Sequence, residues 1–169
     1  MLKALKNQLL EMAKDPSGLF ATEIEKRIGT EKSAHFVVEL RNFILVAPEM
    51  IAQIRDWSAD PNMSSKLKNI HGFLLTYLYH PEDFFSDETH GLLGYLDDAY
   101  FVGRVYEETM KATDYTVRRY LPNQKNLGAQ IHSWIEQTRE ILPEETRKID
   151  QMMDELLQGN MSAFNKIMV

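Results

Sequence analysis

Apolar residues recur every three or four positions along most of this chain. Leu2, Leu5, Leu9 and Met12 form one stripe, which "DPSG" closes at 15–18. The pattern then predicts a short helix over 19–28 with Gly29 as its stop. Phe36, Leu40, Phe43, Ala47, Met50, Ile54 and Trp57 carry the period across 34–57. Pro48 falls inside that run; lacking an amide, it is expected to kink or split the helix. "DPNMSS" reads as a turn with N-cap residues, opening a helix over 66–80 with Leu67, Ile70, His71, Leu74 and Leu78 on one face. His80-Pro81 ends it, because a residue before proline avoids the α region. Ser86, Asp87 or Thr89 can cap a long helix over about 90–120, whose first half is apolar on nearly every side. Further helices follow Pro122 and Pro143, and "GN" at 159–160 closes the last. The expected fold is an all-α bundle of five to seven helices in one domain, 1–169, around a central antiparallel hairpin at 66–120.

Composition narrows the chemistry. The chain has 169 residues, enough to bury a core, with 44% hydrophobic and 26% charged residues. It has no cysteine, which excludes disulfides, cysteine-ligated zinc, iron–sulfur clusters and a cysteine nucleophile. The absence of cysteine suits a reducing cytoplasm. The first eighteen residues show neither a long apolar core nor a small-residue cleavage site, so no secretory signal is expected there. The most apolar runs, "GFLLTYLY" and "NFILVAPEMIAQI", fall short of the roughly 20 residues of a spanning helix, which leaves surface attachment as the membrane alternative. A net charge of −6 argues against non-specific nucleic-acid binding, which rests on neutralising phosphates.

That charge is unevenly placed. Residues 61–110 hold three bases and eight acids, and no Lys or Arg lies between Lys68 and Arg104. The stretch "YHPEDFFSDETHGLLGYLDDAYF", 79–101, carries six carboxylates and two histidines inside otherwise core-like sequence. Helical spacing requires at least one of Asp97 and Asp98 to face packed surface, where a carboxylate must pair or protonate. The order Pro81, Asp83, Asp87, Gly94, Asp97, Asp98 resembles the signature of the YkvA-like bacterial family over roughly 70–106. Three features depart from it: Ser86 stands where that family has proline, the Asp87–Gly94 spacing is one residue longer, and His90-Gly91 replaces the second proline region. The family carries no agreed biochemical activity, so the resemblance implies a helical hairpin with an Asp-rich turn.

Two readings of the turn follow. In the structural one, Asp83 and Asp87 cap helix amides, while Asp97 or Asp98 accepts from turn backbone or from Arg104 or Arg41, and no cofactor is bound. In the other, Asp83, Asp87, Asp97 and Asp98 supply oxygen ligands to Mg²⁺, Mn²⁺ or Ca²⁺, and His80 or His90 shifts preference towards Mn²⁺, Fe²⁺ or Zn²⁺. No nucleophile motif or phosphate-cradling loop stands out, which leans against an enzyme, and His71 reads as a satisfied core histidine. The C-terminal region 143–169 offers another function. Ile149, Met152, Met153, Leu156 and Leu157 form a stripe that docks on its own core or serves as a partner or dimer surface, and "MSAFNKIMV" adds methionines suited to adaptable contacts. The first expectation is a non-catalytic interaction or scaffold module of the bacterial cytoplasm. The alternatives are a metal-binding, hydrolytic protein using the acidic turn and a peripheral membrane protein.

Overall fold

The computed structural model describes residues 2–78, 91–112 and 127–160. They contain α1 (Leu2–Met12), α2 (Leu19–Ile28), α3 (Thr30–Ser58), α4 (Ser65–Tyr77), α5 (Leu96–Ala112), α6 (Leu127–Ile141) and α7 (Pro143–Leu157), with a 3₁₀ turn at Gly91–Tyr95 leading into α5. No strand occurs among the described residues, as the helical period requires. The fold is an all-α bundle.

Local chemistry sets the boundaries. Asp15 adopts a positive φ of 37°, which aspartate tolerates better than most residues. Its carboxylate accepts from the amides of Leu19 at 3.0 Å and Phe20 at 3.1 Å, capping α2. Gly29, at φ 79°, stops α2 where the sequence predicts. Ser64 caps α4 by accepting from the Leu67 amide at 3.3 Å, and Pro143 occupies the first turn of α7.

Two expectations are corrected. First, α3 is not split at Pro48: it runs unbroken for 29 residues, roughly 43 Å at 1.5 Å per residue. Phe43, Ile44 and Ala47 before the proline and Met50, Ile51 and Ile54 after it are all buried. At about 1.5–3 kcal/mol per large apolar side chain, their packing outweighs the roughly 3 kcal/mol that an interior proline costs. Second, the helix expected from residue 90 begins as a 3₁₀ turn and becomes α-helical only at Leu96. Gly91 and Gly94 explain this, since glycine is a poor helix former and Gly91 takes a φ of 56°. The end expected near 120 lies outside the described residues, as do the proposed caps Ser86, Asp87 and Thr89.

Helix α3 packs against α1, α2, α4, α5 and α6 and forms the spine. Helices α4 and α5 form the antiparallel pair that the pattern predicts. His71 meets Thr109 and, six residues on, Tyr77 meets the Phe101 ring with centroids 5.1 Å apart, so the two chains run in opposite directions. Helix α7 buries Ile149, Met153 and Leu156 against the rest of the bundle. Three residues of its apolar stripe are therefore core, and Met152 and Leu157 pack partly buried beside them. "MSAFNKIMV", 161–169, lies outside the described residues. No helix among the described residues is long and apolar enough to cross a membrane.

Candidate functional site

Of the six candidate site residues, the structure describes two. Asp97 and Asp98 sit in the first turn of α5, where the orphan amides and the helix dipole favour negative charge. The residues immediately before this turn form the 3₁₀ turn Gly91–Tyr95. Asp97 has no exposed surface, so one of the pair does face packed surface as the spacing demands. Asp98 is half-buried. His80, Asp83, Asp87 and His90 lie outside the described residues. Among the described residues no group of three or more His, Asp or Glu side chains is arranged to hold a metal ion.

Neither arginine expected to serve these aspartates is found doing so. Arg41 lies over the Phe20 ring, 5.9 Å from its centroid. Arg104 turns instead to a polar seam that sequence reasoning missed. Along α5, Asp97, Tyr100, Arg104, Glu107 and Lys111 recur at spacings of three and four, drawing one polar stripe down an otherwise apolar helix. Tyr100, Arg104 and Glu107 bond across to α6 and α7. The Asp150 carboxylate on α7 takes Arg104 Nε at 2.9 Å on Oδ1. On Oδ2 it takes the Tyr100 hydroxyl at 2.8 Å and Arg139 Nη2 at 2.9 Å. Arg139, from α6, also donates Nε to the Tyr100 oxygen at 2.9 Å. Glu107 accepts from Arg104 Nη1 and Lys111 Nζ, each at 3.0 Å, and His132 Nδ1 on α6 lies 3.2 Å from its other oxygen.

The electrostatics follow from this geometry. Burial alone would raise the Glu107 carboxyl pKa, but the hydrogen bonds from Lys111 and His132 and the charges of Lys111 and Arg104 outweigh it and hold the group below its usual range. Burial, then the bond to Asp150, pushes the Tyr100 hydroxyl well above an ordinary phenol. Tyr100 is therefore a fixed donor and Glu107 a fixed anion at neutral pH. Both Asp150 oxygens are occupied by donors. The seam holds three helices together through charge-assisted bonds.

A second polar cluster lies between α3, α4 and α5. His71 has no exposed surface, with Nδ1 3.0 Å from Ser58 Oγ and Nε2 2.8 Å from Thr109 Oγ1. It is the satisfied core histidine that its place on the apolar stripe predicts. Nearby, the Tyr106 hydroxyl donates to Gln53, and its ring packs on Trp57 at 4.8 Å.

Comparison with family models, with curated proteins and with solved structures finds no match for this chain.

The missed residues had a partial signal. The stripe on α5 is visible as polar positions at helical spacing. Asp150 and Arg139 are not, because their partners lie on other helices and local periodicity says nothing about which faces meet.

Proposed function

We propose that this chain is a non-catalytic helical module of the bacterial cytoplasm that acts by engaging a protein partner. The observation that supports this reading is the saturation of the seam. Asp150, Arg139, Tyr100, Arg104 and Glu107 direct their donors and acceptors at one another across α5, α6 and α7. Side chains so committed build a rigid frame, and the outward faces remain for recognition. On α7 that face carries the exposed Glu144, Arg147, Gln151 and Asp154, a mixed-charge strip opposite the buried stripe. The resemblance of 70–106 to the YkvA-like family is compatible with this reading, since that family brings no activity with it.

The test uses the full chain. Chemical crosslinking in bacterial cells should recover one partner, or a second copy, at fixed stoichiometry. Reversing charge at Arg147 and Asp154 should abolish the crosslink without changing the melting temperature. An enzymatic activity lost in a folded Asp150→Asn variant would sink the reading, because the seam would then be catalytic.

A divalent-metal site built from Asp83, Asp87, Asp97 and Asp98 with His80 or His90 is the second reading. What supports it is the sequence: six carboxylates lie between Lys68 and Arg104 with no Lys or Arg among them. It predicts metal in the purified protein and a melting temperature raised by Mg²⁺, Mn²⁺, Ca²⁺ or Zn²⁺. An unchanged melting curve with those ions and with EDTA rules it out.

A further inference from the structure

Among the described residues, the His71 cluster makes one contact more than its own hydrogens can fill. Ser58 Oγ contacts His71 Nδ1 and also lies 2.8 Å from the Ile54 carbonyl one turn back. Thr109 Oγ1 contacts His71 Nε2 and likewise lies 2.8 Å from the Val105 carbonyl. Four contacts need four hydrogens, but a neutral imidazole and two hydroxyls supply three. With the proton on Nδ1, Thr109 must turn to the ring and leave Val105. With the proton on Nε2, Ser58 must leave Ile54. A proton from solvent would fill the fourth contact, but only by making a cation with no exposed surface.

Among the described residues, the following charged and titratable groups on the helices packed against α4 have partners of their own. On α3, the exposed Arg55 and Asp56 pair at 3.5 Å. On α5, Tyr106 donates to Gln53, while Glu107, Glu108 and Lys111 belong to the outer ion-pair cluster. On α7, Asp150 is held by two arginines.

We infer that His71 is a proton-operated pin joining α3, α4 and α5: acid loosens α4 from the bundle, because the protonated ring is better accommodated in water than between its two hydroxyls. The inference does not depend on what the protein binds. Burial supports it by holding the enclosed ring near a pKa of about 4, against an ordinary 6.5. Between those values the released ring binds a proton and the enclosed ring does not. Release is therefore favoured by up to about tenfold per pH unit as pH falls through that window, and levels off below it. Release would bare Leu67, Ile70, Phe73, Leu74 and Tyr77, the buried face of α4.

Hydrogen exchange of the full chain, corrected for intrinsic rates and read on α4 peptides from about pH 7 to pH 4.5, tests this. In the wild type, α4 protection should fall up to about tenfold per unit below pH 6.5, ahead of α2 and α6. In His71→Gln it should fall no faster than theirs. Equal pH dependence of α4 in both proteins, or a flat wild-type profile, overturns the pin. Should the variant fail to fold, the imidazole resonances of the wild type decide. A ring that stays neutral in the folded species down to about pH 4 supports the inference, and a folded-state ring that is charged near its ordinary pKa overturns it.

Discussion

The Tyr100 hydroxyl on α5 and the Asp150 carboxylate on α7 meet at 2.8 Å, with Arg139 donating to both. Removing Asp150 takes one carboxylate from each of two guanidinium groups: Arg104, only 13% exposed, keeps Glu107, and Arg139 keeps Glu136 and the Tyr100 oxygen. Asp150→Ala should cost about 2–3 kcal/mol, below the range for a fully buried pair because Asp150 is partly solvated. Asp150→Asn, which keeps one acceptor oxygen, should cost roughly half. Urea unfolding with an unchanged slope checks both, and a loss of under about 0.5 kcal/mol for the alanine variant would reduce the seam to an ordinary surface ion pair.

Gly103 lets α5 approach α3. A Cβ there would lie 2.6 Å from Phe43 Cζ and 2.9 Å from Cε2. The Phe43 ring cannot yield easily, being fully buried and stacked on Trp134 at 5.2 Å. Gly103→Ala should destabilise by about 1–3 kcal/mol despite its gain in helix propensity. Gly72, exposed on α4 with nothing within 4 Å of an added Cβ, supplies the contrast. Gly72→Ala should stabilise by up to about 1 kcal/mol. Thermal melts of the two variants with matching signs would contradict this account.

The alkaline limb of stability should report the tyrosines. Burial raises the Tyr106 pKa from 10.0 to about 12. A group whose folded pKa is raised contributes stability that is complete below its unfolded value and is lost as pH rises through the folded one. The loss attributable to Tyr106 therefore runs from about pH 10 to 12 and amounts to about 2–3 kcal/mol. Tyr106→Phe should flatten this limb while losing about 1 kcal/mol at neutral pH with the bond to Gln53. Denaturant midpoints measured against pH, alongside tyrosinate absorbance, decide it; a variant that keeps the wild-type slope refutes the assignment.

Asp15 offers a local test. Its two oxygens hold the first amides of α2, so Asp15→Ala should cost about 1–2 kcal/mol, from the lost cap and from alanine's intolerance of positive φ. Asp15→Gly relieves the backbone but not the cap and should fall between alanine and wild type. Equal melting temperatures for all three proteins would mean that the turn is held by something other than these bonds.

Where local chemistry decides, the sequence is legible. Gly29 and Ser64 mark helix limits because they act within their own turn, and His71 reads as core because its neighbours at helical spacing are apolar. Pro48 misleads because the cost of a proline is local, while the packing that overrides it comes from five other helices. The 3₁₀ turn at Gly91–Tyr95 is hidden for the opposite reason: its apolar pattern is helical, but two glycines weaken the α form. Arg104 reads as a partner for Asp97 or Asp98 on spacing alone, whereas its true partner, Asp150, comes from a helix 46 residues later. Pairings of this kind depend on which faces meet, and no periodicity within one helix encodes that.

The spine position of α3 has a consequence during synthesis. Its Phe43 is covered by Trp134, whose indole also donates to Glu39. The ribosome must add about 90 further residues after Phe43 before that cover exists, roughly 5–20 seconds at ordinary elongation rates. For that interval a 29-residue helix of the nascent chain carries an open apolar flank. This is when a chaperone would find it, and when slowed translation would be most damaging to its yield.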